Sequence, residues 1–577
     1  MPQIEKRDVQ ILPIAAQTTV MRSRTWDRLK FEIEYALEKG TTANSFLIEA
    51  DKTALFDPPG ESFTKIFLKA LQERINPQQI DYVILGHVNP NRGVTLKALL
   101  ELAPQITFVC SNPGAIALRE ILSDQQLNIT VVKGEETLDL GKGHYLEFIP
   151  TPSPRLPDEL CTYDPHTEVL FTDKFFGAHV CGEQVFDEGW ATYKQDRRYY
   201  FDCLMAPNAR QVETALEKLR DKPARLYATG HGSLVRYGLR EITASYWEWA
   251  KLQKGTQTTV ALMYASAYGN TTALAQAIAR GITKAGVAVE SINCEMADPA
   301  DIQTAIEKSS GFIIGSPTIT GHAPTPIQTA LGIILSTAKT TQLAGVFGSF
   351  GWSGEAIDQL EGKLRDAGYR FGFETMRVKF KPTDATLQQC EEAGMDFAQA
   401  IKKAQKRASK ASRSSASDSQ APRTEQAVGR IVGALSVITT QQGDLSSAML
   451  ASWISQATFN PPGFTVAVAK DRAIESLLHS GNPLVLNILE EGKHAGLMKH
   501  FLKPFSPGED RFAGVAVDQA ENGSPILSDA LAYLECHVDN RMECGDHWVI
   551  YAVAEQGKVL EPQGVTAVHQ RKSGSHY

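Results

Sequence analysis

The residues Ser266-Ala267-Tyr268-Gly269-Asn270-Thr271-Thr272 gather hydroxyls, a glycine and an amide behind the extended run TTVALMYAS and ahead of the amphipathic stretch TALAQAIARGITKAG. A helix opening there turns its free N–H groups and the positive end of its dipole toward the loop, which favours a dianion. The loop has neither the Gly-Lys-Ser/Thr of a triphosphate site nor the G-x-G-x-x-G of a dinucleotide site, so the expected ligand is a monophosphate. Two more loops follow later extended runs. One is Ser316-Pro317-Thr318 leading to Gly321-His322-Ala323-Pro324, and the other is Gly348-Ser349-Phe350-Gly351-Trp352-Ser353-Gly354. Open α/β sheets bind ligands beyond the carboxyl ends of their strands, and Trp352 offers an apolar face to a flat ring. Any one such loop is more often a plain turn. Three in register argue for one site.

The elements that must position these loops lie between residues 258 and 407. There TTVALMYAS, VAVESINC, GFIIGSP, LAGVFGSFG and FETMRVKF (residues 373–380) alternate with amphipathic stretches. Strands and helices in alternation imply right-handed crossovers and a doubly wound parallel sheet covered on both faces. Residues 1–255 mix strand patterns such as DYVILGH and YLEFIP with helical ones such as VTLKALLELA, which suits a layered α/β domain. Beyond residue 424, RIVGALSVITT, TVAVAKD, LVLNIL and YLECHVDNRMECGDHWVIYAVAEQG are rich in β-branched and aromatic residues and predict a mostly β barrel. Between the last two modules runs KKAQKRASKASRSSASDSQAPR, basic and almost free of large apolar side chains. Such a segment buries too little surface to offset its ordering entropy, so it reads as a tether in preference to an RNA- or lipid-binding tail. The expected division is 1–255, 256–402, a flexible linker at 403–424, and 425–577.

Composition agrees. At 577 residues the chain is multidomain, with a prior of roughly four domains. A net charge of −8 argues against a nucleic-acid partner. No apolar run approaches the ~20 residues that span a bilayer, and the N-terminus lacks the order of a secretory signal, so a cytoplasmic protein without a transmembrane segment is expected. The eight cysteines include no C-x-x-C pair, so they read as reduced, structural thiols.

The three loops closely resemble flavodoxin. The resemblance implies FMN, with Ser266, Tyr268, Gly269, Asn270 and Thr271 on its phosphate. Pro317, Thr318 and Gly321 would flank the isoalloxazine on one side, and Ser349, Phe350, Gly351, Trp352, Ser353 and Gly354 on the other. In the last module, the segment from Ser446 to Ala457, the Asn460-Pro461-Pro462 turn, Lys470-Asp471-Arg472 and Gly545-Asp546-His547-Trp548 resemble the split-barrel NAD(P)H:flavin oxidoreductases. That likeness implies a second flavin, FMN or FAD, held by Ser447, Met449, Ser452 and Trp453, with Lys470 and Arg472 countering its phosphate. His547 would be the catalytic residue where flavin and nicotinamide stack, the hydride chemistry itself belonging to the cofactors. Leu450 stands where that family usually has a small hydroxyl residue.

The order of modules, with Leu85-Gly86-His87 ending a strand, resembles the flavodiiron proteins in their three-domain form, whose first domain is metallo-β-lactamase-like and reduces O2 or NO at two irons. The family's H-x-E-x-D-H reads here His87-Val88-Asn89-Pro90-Asn91-Arg92. Arg155-Leu156-Pro157-Asp158 stands at its next histidine and turn, and Leu170-Phe171-Thr172-Asp173-Lys174-Phe175-Phe176-Gly177 puts Lys174 at its bridging aspartate. Of these positions and His231, only His87 and His231 keep a ligand-type residue. Asp173 is one residue out of phase, which in a regular strand points it to the other face. Relative to the family pattern the pocket moves by about six charge units toward positive. The expectations are therefore no di-iron centre and, in the pocket, either a small anion or, with equal weight, a retained scaffold simply filled by salt-bridged Arg and Lys. The resemblance further implies a head-to-tail dimer or higher oligomer with a homologous, di-iron-competent subunit. Electrons would come from NAD(P)H or ferredoxin and O2 would be the acceptor, in a photoprotective role. The alternatives are an iron-independent flavin oxidoreductase that releases superoxide or peroxide, and a regulatory subunit.

Overall fold

A computed structural model describes residues 7–26, 39–134, 136–255, 258–412 and 423–570. The chain divides into two compact units, residues 1–261 with 288–305, and residues 262–287 with 306–577.

The first unit is built on two sheets. Seven strands run in sequence order from Arg7–Ala15 through Thr41–Glu49, Thr53–Phe56 and Ile80–Ile84 to Asn128–Val131. The first four pair antiparallel, and the rest parallel through intervening helices. The second sheet orders Leu226–Thr229, Val169–Asp173, Leu160–Asp164, His144–Pro150 and Thr137–Gly141. Apolar residues of both sheets form one core, in which Phe56 and Phe171 stack at 4.1 Å. Each sheet buries its other face under helices, among them Gly93–Leu102 on one side and Ala209–Arg220 on the other. The result is a four-layer αβ/βα sandwich of the metallo-β-lactamase type.

In the second unit, Gly311–Pro317, Leu343–Phe350 and Met376–Lys379 are adjacent parallel strands. The extended run expected over 373–380 is thus a strand only at Met376–Lys379, with a two-residue strand, Arg370–Phe371, also on the edge of Leu343–Phe350. Helices Asn270–Lys284 and Asp384–Ser412 pack closely. A Cβ at Gly281 would stand 1.9 Å from the Glu391 carbonyl oxygen. The expected tether is partly helical: Asp384–Ser412 runs into it and Arg423–Val428 begins at its end, while 413–422 lie outside the described residues. Its Ala, Lys, Gln and Arg are strong helix formers whether or not they bury apolar surface. The barrel follows as a seven-stranded antiparallel sheet whose long hairpin, Ala532–Cys544 with His547–Val559, carries Gly545-Asp546 at its tip.

Candidate functional site

Three groups of residues carry the chemistry. At the carboxyl edge of the flavodoxin-like strands, Gly269 adopts φ 77°, a left-handed turn that lets helix Asn270–Lys284 start at once. Ser266 Oγ accepts the Thr272 N–H at 3.2 Å. The hydroxyls of Thr271 and Ser349 lie 2.8 Å apart and tie the first loop to the third, while the Thr318 N–H donates to the Ser349 carbonyl at 3.0 Å and ties in the second. Gly321, at φ 82°, closes the Ile319–His322 turn after Pro317 and Thr318. The expected loops therefore converge. Phe350, Gly351, Ser353 and Gly354 frame Trp352, which is 93% exposed, and Tyr268 is 91% exposed. Two open aromatic rings and a buried Thr318 hydroxyl with no hydrogen-bond partner are what a phosphate-bearing flat ring would use.

In the barrel, Trp453 and His547 face each other with ring centroids 5.0 Å apart. Asp546 Oδ1 accepts from His547 Nδ1 at 2.8 Å, so the ring presents Nε2, which is buried without a partner, as is the Ser452 hydroxyl. The His547 charge and hydrogen bond hold the Asp546 carboxyl below the usual carboxylate range. Lys470 joins this group: its N–H donates to the Asp546 carbonyl, its ammonium pairs with Glu543, and it lies 5.3 Å from the Trp548 ring. Arg472 is exposed. The strand Leu445–Ala451 places Ser447 and Met449 elsewhere: Met449 packs in the barrel core with Ile438 and Phe464, and Ser447 is buried on the same strand face. Leu450, on the opposite face, packs against a second cluster around Val437 and Leu497.

The N-terminal pocket departs from what its substitutions alone suggest. Asp173 is not turned away. The pairing of Val169–Asp173 with Leu226–Thr229 shifts register between Phe171 and Asp173, and Asp173 takes φ 37°. This irregularity brings Asp173 and Lys174 to the same place. Arg92 sits between two acids, with NH1 2.5 Å from Asp57 Oδ1 and NH2 3.3 Å from Asp173 Oδ1. Lys174, 1% exposed, places Nζ 3.5 Å from Asp173 Oδ1 and 3.3 Å from His231 Nε2. His231 Nδ1 donates to the Thr42 carbonyl at 2.7 Å, leaving Nε2 as the acceptor that meets the ammonium. His87 Nδ1 pairs with Asp158 Oδ1 at 2.8 Å, and Asp158 Oδ2 also accepts the Val88 N–H. Burial opposes ionisation of Asp158, yet the His87 charge and these bonds keep it below the usual range. Burial first, and the Asp173 charge second, push Asp57 up to about 6 against the pull of Arg92. Asn89 caps the Asn91 N–H, Asn91 is exposed, and Arg155 is half-buried in the loop before Asp158.

The cationic cavity expected from the sequence is therefore a compensated one, because Asp57, Asp158 and Asp173 stand against Arg92, Lys174 and His87. Sequence reasoning missed Asp57, which arrives from the end of another strand. Gly86 marks the place where it arrives: the Gly86 N–H donates to Asp57 Oδ1 at 2.9 Å, and a Cβ there would lie 3.2 Å from Asp57 Oδ2 and 2.8 Å from Asp173 Cβ. Among the described residues no group of three or more His, Cys, Asp or Glu side chains could hold a metal ion. None of the eight cysteines, all among the described residues, forms a disulfide, and only Cys544 is exposed.

Comparisons with known proteins match all three regions of the chain. Family models match for the ODP family beta lactamase over residues 41–232, flavodoxin over 262–394 and the flavin reductase like domain over 428–574. The relative named diflavin flavoprotein A 6 of Nostoc sp. (strain PCC 7120) is 70% identical over 100% of both chains. The chain belongs to the flavodiiron family of diflavin flavoproteins. Diflavin flavoprotein A 3 of Synechocystis sp. (strain PCC 6803) is 68% identical, covering 99% of this chain and 96% of its own. Among solved structures, the metal-soaked Flv1 flavodiiron core from Synechocystis sp. PCC6803 is 68% identical with a TM-score of 0.66, covering 69% of this chain and 99% of that one. As a flavodiiron protein the chain is an oxidoreductase, and its flavodoxin and flavin reductase regions bind flavin. Among the described residues no helix is long and apolar enough to cross a membrane.

Proposed function

We propose that this flavodiiron chain carries electrons from NAD(P)H through a flavin in the barrel and an FMN in the flavodoxin-like region toward reduction of O2 to water, as one subunit of an oligomer with a di-iron-competent homologue. The observation that carries the reading is Arg92 held between Asp57 and Asp173 with Lys174 against His231. That pocket does not fit a pair of irons. The Nε2 lone pair of His231 faces an ammonium and a fixed guanidinium already neutralises the acids, so His87, oriented by Asp158 through Nδ1, is left as a lone imidazole where two irons need several ligands. The small anion expected from the sequence also has little to bind, since the same cations are paired with carboxylates.

The flavin sites do fit their groups. Bound flavin would supply hydride acceptance and one-electron transfer. The chain's part is to seat the FMN phosphate at Ser266, Tyr268, Asn270 and Thr271, to flank the ring with Trp352, and in the barrel to offer Ser452 and His547 Nε2 as polar contacts beside Trp453. Ferredoxin as donor and a photoprotective role are compatible readings that come from the family resemblance.

Iron and flavin analysis of the purified full-length protein tests this. Two flavins with iron well below one per chain, and water as the product only when a di-iron-competent homologue is added, are expected. About two irons per chain would overturn it. The open flavin sites favour one second reading, an iron-independent flavin oxidoreductase, which would give peroxide at undiminished rate with the homologue present.

A further inference from the structure

We infer that a buried ion cluster locks the reductase-like barrel onto the flavodoxin-like region, and that Glu475 is the positioning residue through which the lock sets the candidate nicotinamide site. The positioning half rests on the function proposed above; the lock itself does not.

Lys284, the last residue of helix Asn270–Lys284, places Nζ 2.7 Å from Glu391 Oε1 and 2.7 Å from Glu475 Oε2. One turn earlier, Arg280 Nε lies 3.4 Å from Glu391 Oε2. From the barrel, Arg541 NH1 reaches Glu475 Oε1 at 3.0 Å. Arg280, Lys284 and Glu391 belong to the flavodoxin-like region, Glu475 and Arg541 to the barrel, so the Lys284–Glu475 pair crosses the seam and Glu475 takes a cation from each side. Its side chain is 5% exposed. Burial opposes its ionisation, but Lys284 and Arg541 hold its carboxyl down at about 2, so the bridge stays charged at neutral pH.

The same helix face makes the remaining contacts. Gln388 Nε2 donates to the Ala473 carbonyl at 3.1 Å and Gln388 Oε1 accepts from Ser476 Oγ at 3.1 Å. Gln399 Nε2 donates to Asp471 Oδ2 at 3.2 Å, and Glu392 Oε2 accepts the Gly508 N–H at 3.2 Å with Arg511 3.6 Å away. Gln388, Glu391, Glu392 and Gln399 recur at helical spacing, so one stripe of Asp384–Ser412 is a polar rail for the barrel. Modules joined by a tether move relative to one another by default. A buried charge cluster changes that less through affinity than through register, because a displaced docking would leave Glu475 or Lys284 buried and unpaired.

The rail reaches the site by two routes. Asp471, Ala473 and Ser476, which it grips, directly follow Lys470. Arg541, which Glu475 holds, lies 4.3 Å from the Trp548 ring, and Trp548 is the neighbour of His547 and the cross-strand partner of Glu543. Both the lysine and the aromatic ring beside His547 are thus steadied from the flavodoxin-like side.

The test uses full-length, flavin-loaded protein and two variants, Lys284→Met and Glu475→Gln, so that one misfolding does not end it. Amide hydrogen exchange should rise at least tenfold in both segments 471–477 and 388–399 in each variant, with the rest of the barrel unchanged. Glu475→Gln should also raise KM for NAD(P)H about fivefold at constant flavin content with a smaller change in kcat, and Glu475→Asp should recover most of that. Exchange unchanged in 471–477 for both variants overturns the lock. Raised exchange with unaltered NAD(P)H kinetics overturns the positioning role. If the wild-type protein fails to oxidise NAD(P)H, the functional reading falls while the exchange data still decide the lock.

Discussion

Replacing Arg92 with leucine (R92L) removes the one guanidinium that stands between Asp57 and Asp173. All three side chains are buried, with side-chain exposures of 8%, 6% and 1%. Deleting one partner of a buried ion pair costs about 3–5 kcal/mol, because it strands the other charge in low dielectric. For a unit of this size that corresponds to a fall of roughly 10 °C in the melting transition. The loss should depend on pH, and its sign follows from Asp57. Its folded pKa lies above the ordinary 3.8, at about 6, even with Arg92 present. A carboxyl whose folded pKa is raised adds stability below its unfolded pKa, and that contribution disappears as pH rises through the folded value. In the wild type this is worth about 3 kcal/mol between pH 4 and pH 6, at ~1.4 kcal/mol per factor of ten in proton affinity. Without Arg92 the folded pKa of Asp57 climbs further, so the Asp57 share of the R92L deficit should shrink toward pH 5, leaving the loss of the Asp173 pairing, and the total should be largest near pH 8. Differential scanning calorimetry at both pH values, on R92L and on the triple variant D57N/R92L/D173N, gives the answer. The triple variant should regain most of the loss at pH 8. A deficit under 1 kcal/mol at pH 8, or one of equal size at pH 5, would refute the reasoning.

Thr271→Val breaks the hydroxyl pair with Ser349 and strands a buried hydroxyl; FMN affinity measured by fluorescence quenching should fall about tenfold. Trp352→Ala should leave the melting temperature within 1 °C, because the ring is almost wholly exposed, and yet weaken FMN binding by about 1–2 kcal/mol. His547→Asn should keep flavin content while slowing stopped-flow flavin reduction by NAD(P)H roughly tenfold or more; an unchanged rate would remove His547 from the site.

How much of this was legible in the sequence depended on range. The phosphate loop from Ser266 to Thr272 was readable because every group acts within one strand–helix turn, and the strand and helix patterns around it are strongly periodic. The barrel's Gly545-Asp546-His547 tip was picked out only through its likeness to the split-barrel flavin oxidoreductases. Asp173 was misread because strand periodicity assumes regular pairing, and a single register shift beside a left-handed residue cancels it. Asp57 was invisible because it meets Arg92 only through the pairing of Thr53–Phe56 with Ile80–Ile84. Met449 looked like a ligand residue by resemblance, but the strand's period of two points it into the core. The helix that runs into the expected tether as far as Ser412 was missed because the segment's lack of apolar residues outweighed the propensities of Ala and Lys.

The guanidinium of Arg92 does for Asp57 and Asp173 what a bound cation would otherwise have to do. A scaffold whose acids wait for a metal cannot complete its folding until the metal arrives, and it loosens when a chelator takes the metal away. Here the counter-ion is covalently part of the chain and is delivered by the same peptide that needs it. On the reading proposed above, the first unit would assemble independently of iron supply, and its melting temperature is expected to stay unchanged in the presence of strong chelators.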